Sequence, residues 1–309
     1  MTDLSTRVGA VELASPVMTA SGTAGHGVEL AAYLDLSSLG AVVVKSLAAF
    51  EWPGNPAPRV HPAGIGMINA VGLQGPGVER WLEHDLPPLA ATGARVVASI
   101  WGRTVDDYHR AAAQLSVAPA EVVAVEVNLS CPNLEGRRGI FAHDEALSRA
   151  VIEGCAAELR RPVWAKLSPN TDRVVEIAAA VVGAGAAAVT LINTVLGMAL
   201  DPHTGRPALG AGGGGLSGAG VHPIAVRAVY DVRAAHPDVA IVGVGGVSTG
   251  WDAIELLLAG ASAIQVGTAT FADPRAPRRV AAEIDRWCVE RGVERVADLV
   301  GLAHRGGMP

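Results

Sequence analysis

The chain has 309 residues, half of them hydrophobic but only 4% aromatic, which suits one barrel-sized core, or two smaller ones, packed from Ala, Val, Leu and Ile. A net charge of -6 with no dense run of Lys or Arg argues against nucleic acid or an anionic membrane as the main partner. Three widely spaced cysteines, Cys131, Cys155 and Cys288, fit reduced thiols in a cytoplasmic compartment rather than a disulfide framework or a metal site.

The opening stretch MTDLSTRVGAVELASP is too polar for a signal peptide, and RVGAVELASP predicts a hairpin rather than a membrane-associating helix. No uninterrupted apolar run reaches the roughly 18 residues of a bilayer span. Compact apolar segments then recur at 17–21, 41–46, 95–102, 124–131, 162–168, 188–194, 240–246 and 263–268. Helical patterns lie between most of them, at 144–159, 172–183, 222–235 and 249–259. Apolar strands alternating with helices imply an all-parallel sheet covered by helices, and eight such strands close a (β/α)8 TIM barrel. One barrel domain over 1–309 is the expectation. A doubly wound open sheet is the alternative, weakened because no GxGxxG follows the first strand.

A barrel places its functional residues at the C-terminal ends of its strands. Those positions carry Ser21, Lys45 with Ser46, Ser99, Asn128 with Cys131, Lys166, Asn193 with Thr194, Gly245 with Gly246, and Gly267 with Thr268. Two insertions belong to the same face. The Gly/Pro-rich stretch 51–77 is too long for an ordinary loop and is expected to cover part of the site. The stretch 196–220, which ends in AGGGGLSGAG, reads as a mobile loop whose end meets a phosphate, or as plain linker.

The segment AVEVNLSCPN concentrates the reactive groups. Val125 and Val127 favour a strand, and Pro132 ends its ladder, leaving the Cys131 thiol between the carboxamides of Asn128 and Asn133. Cys131 is a candidate base; the alternative is a small buried hydrophobe. Gly245, Gly246, Gly267 and Thr268, joined by Gly218, suit a phosphate bound through backbone N–H groups. Lys45 and Lys166 end apolar strands and fit an anionic ligand, a phosphate or a flavin that becomes anionic on reduction. The structural alternative is an ion pair with Glu126 or another barrel carboxylate. Asn69, Asn128, Asn133 and Asn193 together can read the alternating N–H and C=O edge of a pyrimidinedione, although each alone is a common turn residue. His26, His61 and His143 are loop residues, and Cys155 and Cys288 sit in helical patterns as filler.

The motifs TASGTAGHG, VVVKS, GNPAPRV, MINAVGLQGPG, VNLSCPN, AKLSPN, LINTVLGM, GGLSGAGVHPIAVR, IVGVGGVSTGWDA and AIQVGTATFADP cover nearly the whole chain. They resemble class 1 dihydroorotate dehydrogenases, most of all the class 1B catalytic subunit. NLSCPN together with NAVGLQGPG is a specific combination; class 2 enzymes instead use a Ser base and an N-terminal membrane-associating extension. The resemblance implies a cytoplasmic FMN-containing barrel that oxidises dihydroorotate to orotate in pyrimidine biosynthesis. Cys131 would take the C5 proton while hydride passes from C6 to flavin N5. Lys45, Asn69, Ala70, Val71, Gly72, Leu73, Asn128, Asn133, Asn193 and Thr194 would hold the substrate. Ser21, Lys45, Ser46, Ser99, Asn128, Lys166 and Ile192 would line the flavin ring and ribityl chain, with Gly218, Gly245, Gly246, Gly267 and Thr268 on the phosphate side. In class 1B the electrons leave through a separate subunit carrying FAD and a 2Fe–2S cluster and end on NAD+. The implied assembly is a homodimeric core, alone or within a heterotetramer.

The chain departs from the family pattern at Ser99, where an Asn is usual, at Trp101, where a small residue is usual, and at Arg137 and Arg138 in the loop after Cys131. These departures bear on pocket shape and on the preference for an anionic substrate. Alternatives of another kind are oxidation or reduction of a different dihydropyrimidine-like ring, a fumarate-linked class 1A enzyme, and a catalytically idle flavin-binding homologue.

Overall fold

The computed structural model describes residues 2–130, 132–133 and 139–307, with the backbone alone for 132–133. Eight parallel strands form a barrel: β1 (Val17–Thr19), β2 (Val42–Val43), β3 (Val96–Ile100), β4 (Val122–Asn128), β5 (Val163–Lys166), β6 (Ala188–Leu191), β7 (Ile241–Val244) and β8 (Ala263–Val266). They pair in the order β1-β8-β7-β6-β5-β4-β3-β2. The ring closes between β1 and β2 without a ladder. Gly40 N donates to Val17 O at 2.8 Å, and the Thr19 hydroxyl accepts from Val43 N at 2.8 Å. The regular strands are shorter than the apolar segments that announce them, because each segment's polar end turns into the loops of the C-terminal face.

Side chains alternate across the pleat, and the alternation builds the interior in layers. Met18, Val43, Val97, Ala124, Trp164, Ala188, Val242 and Ala263 fill the lower barrel, which Val8, Val11 and Leu13 of the N-terminal hairpin (Thr6–Val8 with Val11–Leu13) plug from below. Two positions further along, the same strands turn polar groups inward: Ser99, Glu126, Lys166, Thr190 and Gln265, all buried. Helices Val105–Leu115, Glu145–Glu158, Val174–Gly183, His222–Ala235, Gly250–Ala259 and Ala276–Glu290 cover the outer faces. Their starts are written in the sequence: Thr104 and Asp144 cap their helices, and Thr249 with Asp252 forms a full capping box. No helix among the described residues is long and apolar enough to cross a membrane.

Above the C-terminal face sits a four-stranded antiparallel sheet in the order Val195–Gly197, Gly214–Gly218, Gly66–Asn69, Val60–Ala63. Both insertions contribute to it. The Gly-rich end of 196–220, expected as a mobile loop, is therefore a paired strand. Its glycines serve close approach: a Cβ on Gly215 would run into Thr194 Oγ1, and one on Gly214 into the backbone of Asn69.

Candidate active site

Between the strand ends and this sheet lies a cavity of about 980 Å³. Ser21, Lys45, Ser46, Asn128, Lys166, Ile192, Asn193, Thr194, Gly218, Gly245, Gly246, Gly267 and Thr268 line it, as do Asn69, Ala70, Val71, Gly72 and Leu73. Ser99 does not: its hydroxyl is fully buried behind the wall, 2.9 Å from Ser46 Oγ. Cys131, Arg137 and Arg138 lie outside the described residues, and so does the side chain of Asn133. The backbone of Pro132–Asn133 pairs antiparallel with Gly139–Ile140, and Ser130, next to Cys131, is on the cavity wall.

One wall is a chain of hydroxyls and carboxamides. Ser21 Oγ is 3.2 Å from Ser46 Oγ, and Asn128 Nδ2 donates to Ser46 Oγ at 3.4 Å. Asn128 Oδ1 accepts from Asn193 Nδ2 at 3.0 Å and from Ser130 N at 3.2 Å. Asn193 Oδ1 accepts from Thr194 N at 2.8 Å. Asn69 Nδ2 reaches Gly215 O at 3.3 Å across the cap sheet. These bonds fix the orientation of each amide. A carboxamide has two N–H groups and two acceptor lone pairs, so Asn69 and Asn193 keep capacity for a ligand.

The floor is charged. Glu126, fully buried, accepts from Gln265 Nε2 at 2.6 Å and Thr190 Oγ1 at 3.1 Å on one oxygen, while Lys166 Nζ stands 3.5 Å from the other. Lys166 Nζ also donates to Gln265 Oε1 at 3.3 Å and lines the cavity. The ion pair with Glu126 and the ligand-facing position are thus two aspects of one lysine. Desolvation of two charges makes such a pair costly; four strands contribute to its hydrogen bonds, while Glu126 Oε1 makes none and faces Lys166 Nζ across 3.5 Å.

At the opposite end, Gly245 (φ 141°) and Gly246 (φ 68°) take backbone conformations that L side chains avoid. With Gly218, Gly267 and Thr268 they make an end of the cavity without bulky side chains, where Thr268 Oγ1 donates to Ser217 Oγ at 2.8 Å. Nearer the mouth, Trp52 lines the cavity and fixes the 69–73 segment by donating from Nε1 to Gly72 O at 3.0 Å.

Several functional side chains escape a reading by motif. Asn170 ties the wall together, donating to Thr194 O at 3.0 Å and accepting from Leu196 N at 2.8 Å. Glu126 appeared only as a partner for a lysine, and Gln265 not at all. The signal for Gln265 was its place in AIQV, two residues after an inward Ala263. Trp101 is 3% exposed and packs edge-on against Phe50 and Trp52, off the cavity wall. His26 does line the cavity, where burial lowers its imidazole pKa; His61 and His143 do not line it. Burial pushes the Cys155 thiol up to about 12 and that of Cys288 up to about 11, so neither is a base near neutral pH.

The sequence profile described as dihydroorotate dehydrogenase matches residues 3–287. The chain is 46% identical over 300 residues to the protein named dihydroorotate dehydrogenase B (NAD(+)), catalytic subunit, of Desulforudis audaxviator, covering 97% of each chain. It is 43% identical over 299 residues to the protein of the same name from Pelobacter propionicus, covering 97% of this chain and 98% of the relative. For that of Trichlorobacter lovleyi the values are 41% over 298 residues, 96% and 97%. With a barrel that gathers lysines, carboxamides and glycines at its strand ends, and relatives this similar over almost its whole length, the chain belongs to the dihydroorotate dehydrogenase family.

Proposed function

We propose that this chain oxidises dihydroorotate to orotate as the FMN-binding catalytic subunit of an NAD+-linked, class 1B enzyme. The observation that carries the reading is one cavity holding a carboxamide wall (Asn69, Asn128, Asn193), a buried lysine (Lys166) and a glycine-lined end.

The donor set fits FMN. Ile192 and Val244 offer apolar contact to a flat ring, Lys166 offers a cation, and Ser and Asn groups offer edge hydrogen bonds. Gly218, Gly245, Gly246, Gly267 and Thr268 suit a phosphate approached closely by backbone. When bound, FMN supplies the acceptor for the electron pair that leaves substrate C6.

The chain's own residues do the rest. Asn69, Asn193 and Asn133 orient the pyrimidine ring, each amide acting as donor and acceptor to its alternating edge, and Asn128, whose Oδ1 already accepts twice, joins them through Nδ2. Lys45 and the backbone of 69–73 take the substrate carboxylate. Cys131 Sγ, as thiolate, removes the C5 proton, so that the C5–C6 bond becomes double as the electron pair departs. Lys166, on the cavity wall, would balance negative charge that reduction places on FMN. The cap sheet excludes water from the reacting atoms. Ser21, Ser46 and Ile192 complete the lining, with Ser99 supporting Ser46 from behind. Three cysteines are too few for a four-thiolate 2Fe–2S cluster beside the base, so electrons pass to NAD+ through a partner subunit carrying FAD and the cluster, on a homodimeric core.

The test is an anaerobic titration of the flavin-loaded chain with dihydroorotate, following the visible flavin band. Bleaching by dihydroorotate but not by dihydrouracil, with loss of the response in Cys131→Ala, is the expected result. Turnover should then proceed with an artificial acceptor, and with NAD+ only after the partner is added. A flavin that dithionite bleaches and dihydroorotate does not would overturn the reading.

A further inference from the structure

Leu73 is the one non-glycine residue with a positive φ among the described residues, 62°, and it follows Gly72 at 75°. A bulky side chain rarely adopts that conformation, which persists only where the surroundings over-determine it. Both residues line the cavity. Residues 52–55 supply the restraint. Trp52 and Gly75 exchange backbone bonds at 2.9 and 3.0 Å, and Asn55 donates from N to Val71 O and from Nδ2 to Ala70 O, each at 3.1 Å. Those four bonds clamp the flanks. A fifth, from Trp52 Nε1 to Gly72 O at 3.0 Å, reaches the peptide between Gly72 and Leu73 itself. That peptide is planar and trans, so its N–H points opposite to its C=O. With Gly72 O turned to the indole, the Leu73 N–H faces the other way. No main-chain carbonyl among the described residues accepts from Gly72 N or Leu73 N, and successive N–H groups in a turn suit an anion.

An indole N–H lies in the plane of its ring, so the orientation of Trp52 decides this bond. Three side chains fix that orientation. Trp101 and Phe50 meet the Trp52 ring edge-on, with ring centres 6.0 and 6.2 Å away, and meet each other at 6.1 Å. The Arg103 guanidinium lies 5.2 Å from the Trp52 ring centre and pairs with Asp107. Trp101 is anchored just past the end of β3, where its N donates to Leu47 O at 3.0 Å. A line of contacts thus runs from a barrel strand to one strained peptide on the cavity wall.

We infer that Trp52 is a positioning residue for the Gly72–Leu73 peptide, and that Trp101 acts through it to set affinity for the substrate carboxylate. The inference rests on the proposed reading of 69–73 as the segment that takes that carboxylate. Trp101 stands off the cavity wall, so its bulk serves substrate binding from behind rather than by narrowing the pocket. Tilting the Trp52 ring releases Gly72 O, and the Leu73 N–H turns with it.

The experiment follows anaerobic flavin bleaching by dihydroorotate in stopped flow, which separates the apparent Kd from the limiting rate. It compares wild type, Trp52→Phe, Trp101→Leu, Trp101→Phe and the double variant Trp52→Phe/Trp101→Leu. Trp52→Phe keeps a ring in the stack and the backbone bonds to Gly75, and deletes the indole donor. Its Kd should rise about tenfold. Its limiting rate should stay within about twofold of wild type, because a contact to the carboxylate serves ground state and transition state alike. Trp101→Leu should raise Kd about fivefold, and Trp101→Phe, which keeps an aromatic edge, should recover most of that loss. In the Trp52→Phe background Trp101→Leu should cost nothing further, since the bond through which it acts is gone. Trp52→Phe, the mildest change, decides the matter even if Trp101→Leu does not fold. An unchanged Kd in Trp52→Phe would overturn the inference, as would a fall in limiting rate alone, or Kd losses that add in the double variant. A wild-type flavin that dihydroorotate fails to bleach would instead refute the substrate reading itself.

Discussion

Glu126 and Lys166 are useful to the site only as a set. Removing one member of a buried ion pair strands the other in a medium that cannot solvate it, which costs about 3–5 kcal/mol. Lys166→Met should lower the free energy of urea unfolding by about that amount, because Glu126 stays fully buried with only Gln265 and Thr190 as donors. Adding Glu126→Gln should restore more than half of the loss, the coupling that marks a direct pair. A double variant no more stable than Lys166→Met would refute this account of the floor. The lysine was legible in the sequence, since a cation ending an apolar strand stands out. Glu126 was legible only as one candidate partner, and Gln265 and Thr190 were not, because a polar residue inside a strand gains meaning only when the strand's inward face is known.

The cap sheet shows the same limit at the next scale. Strand existence and order followed from apolar runs alternating with helical patterns, which are local signals. The pairing of Gly214–Gly218 with Gly66–Asn69 joins segments far apart in the chain, and glycine-rich sequence reads locally as flexibility. Packing decides otherwise: Gly215 is small because Thr194 presses on it. Gly215→Ala should therefore displace Thr194 and, through it, the substrate edge, lowering kcat/KM for dihydroorotate by about 10²-fold. Cofactor affinity should change less, because Gly245, Gly246, Gly267 and Thr268 lie on other loops and only Gly218 shares the strand of Gly215. Steady-state kinetics beside an FMN titration separate the two effects, and a Gly215→Ala enzyme with wild-type kcat/KM would show that Thr194 does not position substrate. Trp101 carries a related lesson. A bulky residue at a strand end reads as a pocket residue, yet it packs behind Trp52 because Arg103 and Phe50 complete an aromatic stack there, with the guanidinium 4.6 Å from the Phe50 ring centre.

For the molecule as a whole, the buried thiols set an alkaline limit on stability. The Cys155 thiol is raised from 9.0 to about 12 in the folded chain. The unfolded chain thus releases this proton first as pH rises. Below pH 9.0 the thiol leaves stability unchanged; between 9.0 and about 12 it lowers stability, by up to about 1.4 kcal/mol per pH unit. Cys288, raised to about 11, adds to the slope over a narrower range. Urea midpoints at about pH 8 and about pH 10.5 should fall more steeply for wild type than for Cys155→Ala. Parallel lines would show that the thiol ionises as readily folded as unfolded.

The pairing of β8 with β1 has a consequence for how the chain is made. The strand at Val17–Thr19 waits for the one at Ala263–Val266, and ribosomes add roughly 5–20 residues per second, so the wait is on the order of 10–50 s. Throughout synthesis β1 has only the Val17 and Thr19 bonds of the β2 side on one flank and an open backbone edge on the other. An open edge is a template for pairing with another chain. Its protection in the nascent protein falls to the shortness of β1, three residues, and to the hairpin before it. Slowing translation late in the message, between the codons of β7 and β8, should therefore cost more soluble protein than slowing it before β2.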